Sequence, residues 1–176
     1  MILRSIGPRA VFYRFHTPRW ASRPLSGEGA AKRGGRFNRP GVAALYLSSD
    51  LQTAQAEYQQ ESKLMPPATV VTYEVTLGHV VDLSGGYRAD AWGPEWEDWS
   101  CDWRALAFSE LIEPPSWVLS DLISGNGARG ILFPSLRHAE PGALNLAIFT
   151  AAISTDDTVV EYDPRGDLLR DQDSWK

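Results

Sequence analysis

Cys101 is the one cysteine in 176 residues, which excludes an intrachain disulfide framework and a thiolate metal cluster. Histidine is almost as scarce: His16, His79 and His138 stand far apart, without the helical or short-loop spacing of a zinc site. No Asp-rich motif calls for magnesium, and no bound metal is expected. No apolar run approaches the roughly 18 residues of a membrane span. Met1-Ile2-Leu3-Arg4 opens without the hydrophobic region of a signal peptide, so a cytoplasmic protein with no membrane partner is expected. Internal repeats and linker-like stretches are absent too. A chain of this length is expected to form one domain over residues 1–176, with its core at about 11–152.

Acidic groups are nearly missing from the first quarter. Residues 1–41 hold Arg4, Arg9, Arg14, Arg19, Arg23, Lys32, Arg33, Arg36 and Arg39 against Glu28 alone, whereas the remainder carries 8 basic and 21 acidic residues. A basic quarter on a chain of net charge -5 points to a local anion site rather than a nucleic-acid surface, because the acidic remainder repels a polyanion. Direct nucleic-acid binding is not expected.

Strand patterns appear at residues 10–15, 42–48, 68–77 with 79–83, 130–133, 144–152 and 158–162. Helical patterns follow Ser49, where Gln52 would complete a capping box, and cover residues 116–124 up to the breaker Gly125-Asn126-Gly127. In the first helix Leu51, Ala54 and Tyr58 form the expected buried stripe, with Glu57 at its margin. Residues 17–41 contain too many Gly and Pro for a long regular element and read as a functional loop. Residues 163–176 are polar and expected to be peripheral. The fold class expected is α+β, a mostly antiparallel or mixed β core with flanking helices.

Trp92, Trp96, Trp99 and Trp103 recur in steps of four, three and four, with Pro94 placed for a helix start. They form either a core-packing helix face or an exposed aromatic surface for a partner protein.

The densest chemistry lies in Gly34-Gly35-Arg36-Phe37-Asn38, followed by Tyr46 on a strand and Glu57 on a helix. An arginine fork holds phosphate, a tyrosine offers an aromatic face, and a carboxylate faces a developing cation. Glycines at 34 and 35 would let the backbone approach a ligand without a Cβ. These groups suit a dinucleotide whose glycosidic bond breaks beside a positively charged base.

The order Tyr13-Arg14, Gly34-Gly35-Arg36-Phe37-Asn38, Gly41, Leu45-Tyr46-Leu47-Ser48, Ala54, Glu57, Pro134-Ser135 and Asn145 resembles the RES-domain family, toxins of bacterial toxin–antitoxin modules. That resemblance implies a fold similar to the diphtheria-toxin-like ADP-ribosyltransferases, NAD as consumed substrate, and an Xre-type antitoxin as partner. It places the polar site on Arg36, Tyr46, Glu57 and Ser135, with Arg14 and Asn145 nearby. Catalysis would fall to Glu57, Tyr46 and Arg36, and NAD contacts to Arg14, Gly34, Gly35, Arg36, Tyr46, Ser135 and Asn145. Tyr46 would lay its ring on the nicotinamide, and Arg36 with Arg14 would hold the pyrophosphate. Residues 92–115 have no counterpart in the pattern. If exposed, they would dock a protein acceptor, and transfer of ADP-ribose to a cellular protein is the expected outcome, with NAD degradation by hydrolysis or phosphorolysis as the alternative. A nuclease toxin and a non-catalytic interaction protein are the competing classes.

Overall fold

In the computed structural model, which describes residues 1–173, the sheet runs in the order β1-β2-β5-β4-β3-β6 and closes because β1 also pairs with β3. The strands are β1 (Leu3–His16), β2 (Ala44–Ser48), β3 (Thr69–Asp82), β4 (Gly130–Pro134), β5 (Leu144–Phe149) and β6 (Thr158–Glu161). Five of them form a barrel, with β6 attached to β3. Pairing is antiparallel except between β3 and β4, where Val80–Asp82 runs parallel to Gly130–Leu132. The α-helices of the described residues are α1 (Glu28–Arg33), α2 (Leu51–Gln59) and α3 (Pro115–Gly125). The fold is the α+β arrangement that the sequence predicts, with a mixed sheet and flanking helices.

Period-two alternation divides the strand residues between two apolar clusters. Ile6, Phe12, Leu45, Leu47, Leu146 and Ile148 fill the barrel with residues of β3 and Leu132. Ile131, Phe133, Ala147 and Phe149 face outward and are covered by Leu119 and Ile123 of α3 and by Trp92, Trp96 and Trp99. Each fully buried side chain of this kind contributes about 1.5–3 kcal/mol. The barrel seam is thinnest between β1 and β2, which share the single pair Tyr13–Ser48.

Several elements differ from the sequence reading. β1 extends back to Leu3, and residues 69–82 form one strand that passes through His79 at φ 50. β5 stops at Phe149, and residues 150–152 turn into a short 3₁₀ segment. The cap of α2 is Asp50, whose extended backbone presents its carboxylate to the Thr53 N–H at 2.8 Å. Ser49 instead donates to the Gly142 carbonyl and accepts from the Leu144 N–H. Leu51 is exposed, Thr53 and Ala54 are buried, and Tyr58 is half-buried with its hydroxyl on the Pro67 carbonyl.

The tryptophan segment is not a regular α-helix. It is a 3₁₀ stretch, Pro94–Ser100, kinked at Asp98, with Trp92 before it and Trp103 beyond. Three residues per turn put Trp96 and Trp99 on one face, and all four tryptophans are buried. Trp92, Trp96 and Trp99 pack the outer apolar cluster, Trp103 lies against Trp117 and Phe108, and the four cannot serve as an exposed docking stripe. In the peripheral tail Asp163 accepts from the Asp167 and Leu168 N–H groups; residues 174–176 lie outside the described residues.

Candidate functional site

Helix α1 ends at Gly34, whose left-handed φ of 73° turns the chain into Gly35–Asn38. Gly35 donates its N–H to the Asn38 carbonyl and offers its own carbonyl to Trp117 Nε1 at 2.8 Å. A Cβ at Gly35 would sit 2.5 Å from both the Tyr46 hydroxyl and Asn38 Oδ1, so only glycine fits. The close approach expected toward a ligand is here an approach to Tyr46.

Tyr46 itself is committed through its hydroxyl. It donates to Asn38 Oδ1 at 2.8 Å and accepts from the Phe37 N–H at 2.9 Å. Burial raises its pKa well above the usual phenol range, against the lowering effect of the Phe37 bond and of Arg36 and Arg14, so the donated proton stays on oxygen. Asn38, fully buried, sends its amide to the Ala30 and Val42 carbonyls. Ser120 Oγ donates to the Phe37 carbonyl. The turn that bears Arg36 is thus pinned by β2 and α3.

Arg36 Nη1 donates to the carbonyls of Cys101 at 2.8 Å and Trp99 at 3.2 Å, so the tryptophan segment fixes the guanidinium. Among the described residues no carboxylate pairs with it. Its pKa is lowered by burial and pulled back up by Cys101, Glu57, Tyr46 and Asp102, which places Glu57 and Tyr46 within its electrostatic reach. The other basic residues of the first quarter sort differently: Arg4, Arg9 and Arg23 pair with Asp82, Glu74 and Glu28. Arg39 takes both Glu113 and Asp121, and Arg19, Lys32 and Arg33 are exposed. The expected anion site therefore narrows to Arg14 and Arg36. Arg14 sits within electrostatic reach of Tyr46, and its Nη1 is buried without a hydrogen bond.

Across from Arg36, Glu57 of α2 accepts two hydrogen bonds on Oε1, from Ser135 Oγ at 2.8 Å and Asn145 Nδ2 at 2.6 Å. Sheet register explains the convergence: Asn145 lies opposite Ser48 on one side and Phe133 on the other, two residues before Ser135. Ser48 Oγ donates to Asn145 Oδ1 at 2.7 Å, which turns the amide NH₂ toward Glu57. Ser135 Oγ accepts from the Arg137 and His138 N–H groups, leaving its own proton for Glu57. Ser48, Ser135 and Asn145 are all buried.

The structure brings Arg36, Tyr46, Glu57, Ser135 and Asn145 to one place on the outer face of β2 and β5, with Gly34 and Gly35 beneath the arginine turn; Arg14, two positions from the barrel-facing Phe12 on β1, is within electrostatic reach of Tyr46 without a hydrogen bond to it. Sequence reasoning missed Asn38, Ser48, Trp117 and Ser120 as supports. Ser48 carried a signal, since it shares a strand face with Tyr46. The others are recognisable only through contacts 8 to 83 positions away. A cavity of about 350 Å³, lined among others by Arg4, Ile6, Phe12 and Leu144, lies apart from this constellation. A second, of about 260 Å³, flanks it along Gln52, Gln55, Ala56, Gln59 and His138. Among the described residues no three His, Cys, Asp or Glu side chains gather to hold a metal ion, and no helix is long and apolar enough to cross a membrane.

No curated protein matches the chain. Among solved structures it is similar to the crystal structure of the M.tuberculosis MbcT-MbcA toxin-antitoxin complex, at a TM-score of 0.55 and 21% identity, covering 91% of this chain and 87% of that one. A likeness at that identity speaks for the fold. The family model named RES domain matches residues 11–171, a span that contains the barrel and the whole Arg36–Glu57–Ser135–Asn145 constellation. The chain belongs to the RES-domain family.

Proposed function

We propose that the protein is the toxin of a toxin–antitoxin pair and acts by consuming NAD, breaking the bond between nicotinamide and ribose. The observation that carries this reading is the pairing of a fixed carboxylate with an unneutralised cation. Glu57 is oriented through Oε1 by Ser135 and Asn145, within electrostatic reach of Arg36, which no carboxylate of the described residues pairs.

Nicotinamide is already cationic in NAD and leaves as a neutral base, so its departure needs no general acid. Positive charge builds on the ribose carbon, as in glycoside cleavage. With both donors on Oε1, Glu57 keeps Oε2 for that charge or for the ribose hydroxyls, in a geometry set before the ligand arrives. Arg36, with Nη1 anchored on two carbonyls, presents the rest of its fork to a phosphate. Tyr46 holds the turn through its hydroxyl and leaves its ring for contact with the base.

The protein-acceptor reading rested on an exposed tryptophan face, and those side chains are core. We therefore assign the ADP-ribose to a small acceptor, water or phosphate, so that the toxin degrades free NAD. The Xre-type antitoxin would inhibit by covering the approach between the Gly34–Gly35 turn and Glu57. The test is to incubate the protein with NAD labelled in the adenylate half and follow nicotinamide release in buffer, in cell extract, and with the cognate antitoxin added. Rapid release in buffer, stopped by antitoxin, is the expected result. A discrete labelled protein band with no turnover in buffer would restore protein ADP-ribosylation, and no release anywhere would end the NAD reading.

A further inference from the structure

Among the tryptophans of the described residues Trp20 alone is exposed, at 51%, whereas Trp92, Trp96, Trp99, Trp103 and Trp117 are buried. Its backbone is nevertheless pinned. Pro18 opens a 3₁₀ turn, Pro18–Trp20, and the next residue, Ala21, is fully buried. The Trp20 N–H donates to the Thr17 carbonyl at 2.8 Å, and the Trp20 carbonyl accepts from the Arg23 N–H at 3.1 Å. Further along, the Pro24 carbonyl accepts from the buried Tyr73 hydroxyl at 2.9 Å. A large ring held in solvent on a fixed turn is a preformed apolar platform, because covering it orders little else.

The turn also stands between the two halves of the polar constellation. On one side Thr17 Oγ1 lies 3.4 Å from the hydroxyl of Tyr58, the residue after Glu57 on α2. On the other, Gly27 packs so closely on β2 that a Cβ there would meet the Ala44 nitrogen at 2.9 Å, two residues before Tyr46. From Gly27 the chain enters α1 and then the Arg36 turn. Residues 17–27 thus form a rim from the helix of Glu57 to the strand of Tyr46. Beside the ring the rim is cationic: Arg19 is exposed and forms no ion pair among the described residues, and Arg23 reaches only the exposed Glu28, at 3.5 Å. Such a pair holds an arginine weakly, and the rim favours an anionic ligand.

We propose that Trp20 is the platform on which the adenine ring of the dinucleotide stacks. This rests on the reading of the constellation as an NAD site and extends it to the half of the molecule that does not react: Arg36, Tyr46 and Glu57 serve the phosphate, the nicotinamide and its ribose, and leave the adenine to a further contact. An indole face suits a purine because both present flat π surfaces, and the stack asks for no hydrogen bonds from the base edges. Held equally in the ground state and the transition state, the adenine would lower KM and leave kcat alone.

The test uses ADP as the binding probe, with UDP as the smaller-base control, in calorimetric titrations of wild type, Trp20→Ala and Trp20→Phe. Trp20→Ala is expected to bind ADP at least about tenfold more weakly than wild type, the scale of one lost base–aromatic stack, with Trp20→Phe between the two and UDP affected less. Nicotinamide release is measured on the same proteins with NAD and with nicotinamide mononucleotide, which lacks the adenylate half. In Trp20→Ala the KM for NAD is expected to rise with kcat retained, and release from the mononucleotide to match wild type. An unaltered ADP affinity in Trp20→Ala overturns the proposal, as does an equal loss with NAD and the mononucleotide, or a Trp20→Ala protein that no longer folds. Loss of antitoxin binding with ADP affinity intact would make the ring a protein contact instead. Nicotinamide release by wild type with ADP affinity unchanged in Trp20→Ala sinks this inference alone, and loss of that affinity without any release by wild type sinks the NAD reading alone.

Discussion

On β2 and β5, residues one position apart serve opposite purposes. Leu45, Leu47, Leu146 and Ile148 point into the barrel at 2% exposure or less, whereas Tyr46, Ser48 and Asn145 on the other face build hydrogen bonds toward Arg36 and Glu57. The two strands pair in register, Ser48 with Asn145 and Leu47 with Leu146. A sealed apolar layer therefore backs the polar one directly. The rigidity of the first lets the second hold its donors near 2.7 Å.

Breaking the inner face should have the largest effect. Leu146→Asn would bury an unsatisfied amide among Leu45, Leu47 and Ile148 and is expected to cost about 4 kcal/mol or more, enough to unfold a domain of ordinary stability. Chemical denaturation checks it, and a loss under 1 kcal/mol would mean that the barrel interior admits water.

On the outer face, Tyr46→Phe keeps the ring but strips partners from Asn38 Oδ1 and the Phe37 N–H. A loss of about 2–4 kcal/mol is expected, since both orphaned groups are buried. The Arg36 turn should loosen with it, so NAD turnover should fall beyond what stability explains. Unchanged turnover in a folded variant would confine Tyr46 to packing.

A smaller effect sharpens the contrast from the far side of the barrel. Asp157 is buried, which alone would raise its pKa, yet hydrogen bonds from Gly78, Ser154 and Arg129 hold it down at about 2. The folded-state value lies below the unfolded one. Its contribution is therefore complete above about pH 4 and is lost as pH falls toward 2, a change of about 2 kcal/mol. Asp157→Asn should flatten that part of the stability-against-pH curve while leaving the polar constellation and its activity intact; an unchanged acid limb would contradict the assignment.

The polar constellation was legible where sequence neighbours carry it. Alternation in residues 44–48 put Tyr46 and Ser48 on one face, and the step to Glu57 follows from a strand turning at once into a helix. Ser135 and Asn145 came from the family resemblance, because their contact with Glu57 spans 78 and 88 positions and only sheet register creates it. Of the two readings of the tryptophans, burial agrees with core packing, while the regular helix expected from their 3.6-residue period is instead a kinked 3₁₀ turn. Ser49 and Asp50 are both good caps by residue type, and the choice fell to Asp50 because Ser49 is bound to the chain around Leu144.

The central claim is that the outer face of β2 and β5 positions Glu57 for NAD cleavage, and Glu57→Gln tests it most directly when nicotinamide release and melting temperature are measured on the same sample. Release is expected to fall by roughly two orders of magnitude or more, with the melting temperature within a few degrees of wild type, because the amide oxygen can still accept from Ser135 and Asn145. Wild-type release from a stable Glu57→Gln protein would contradict the account.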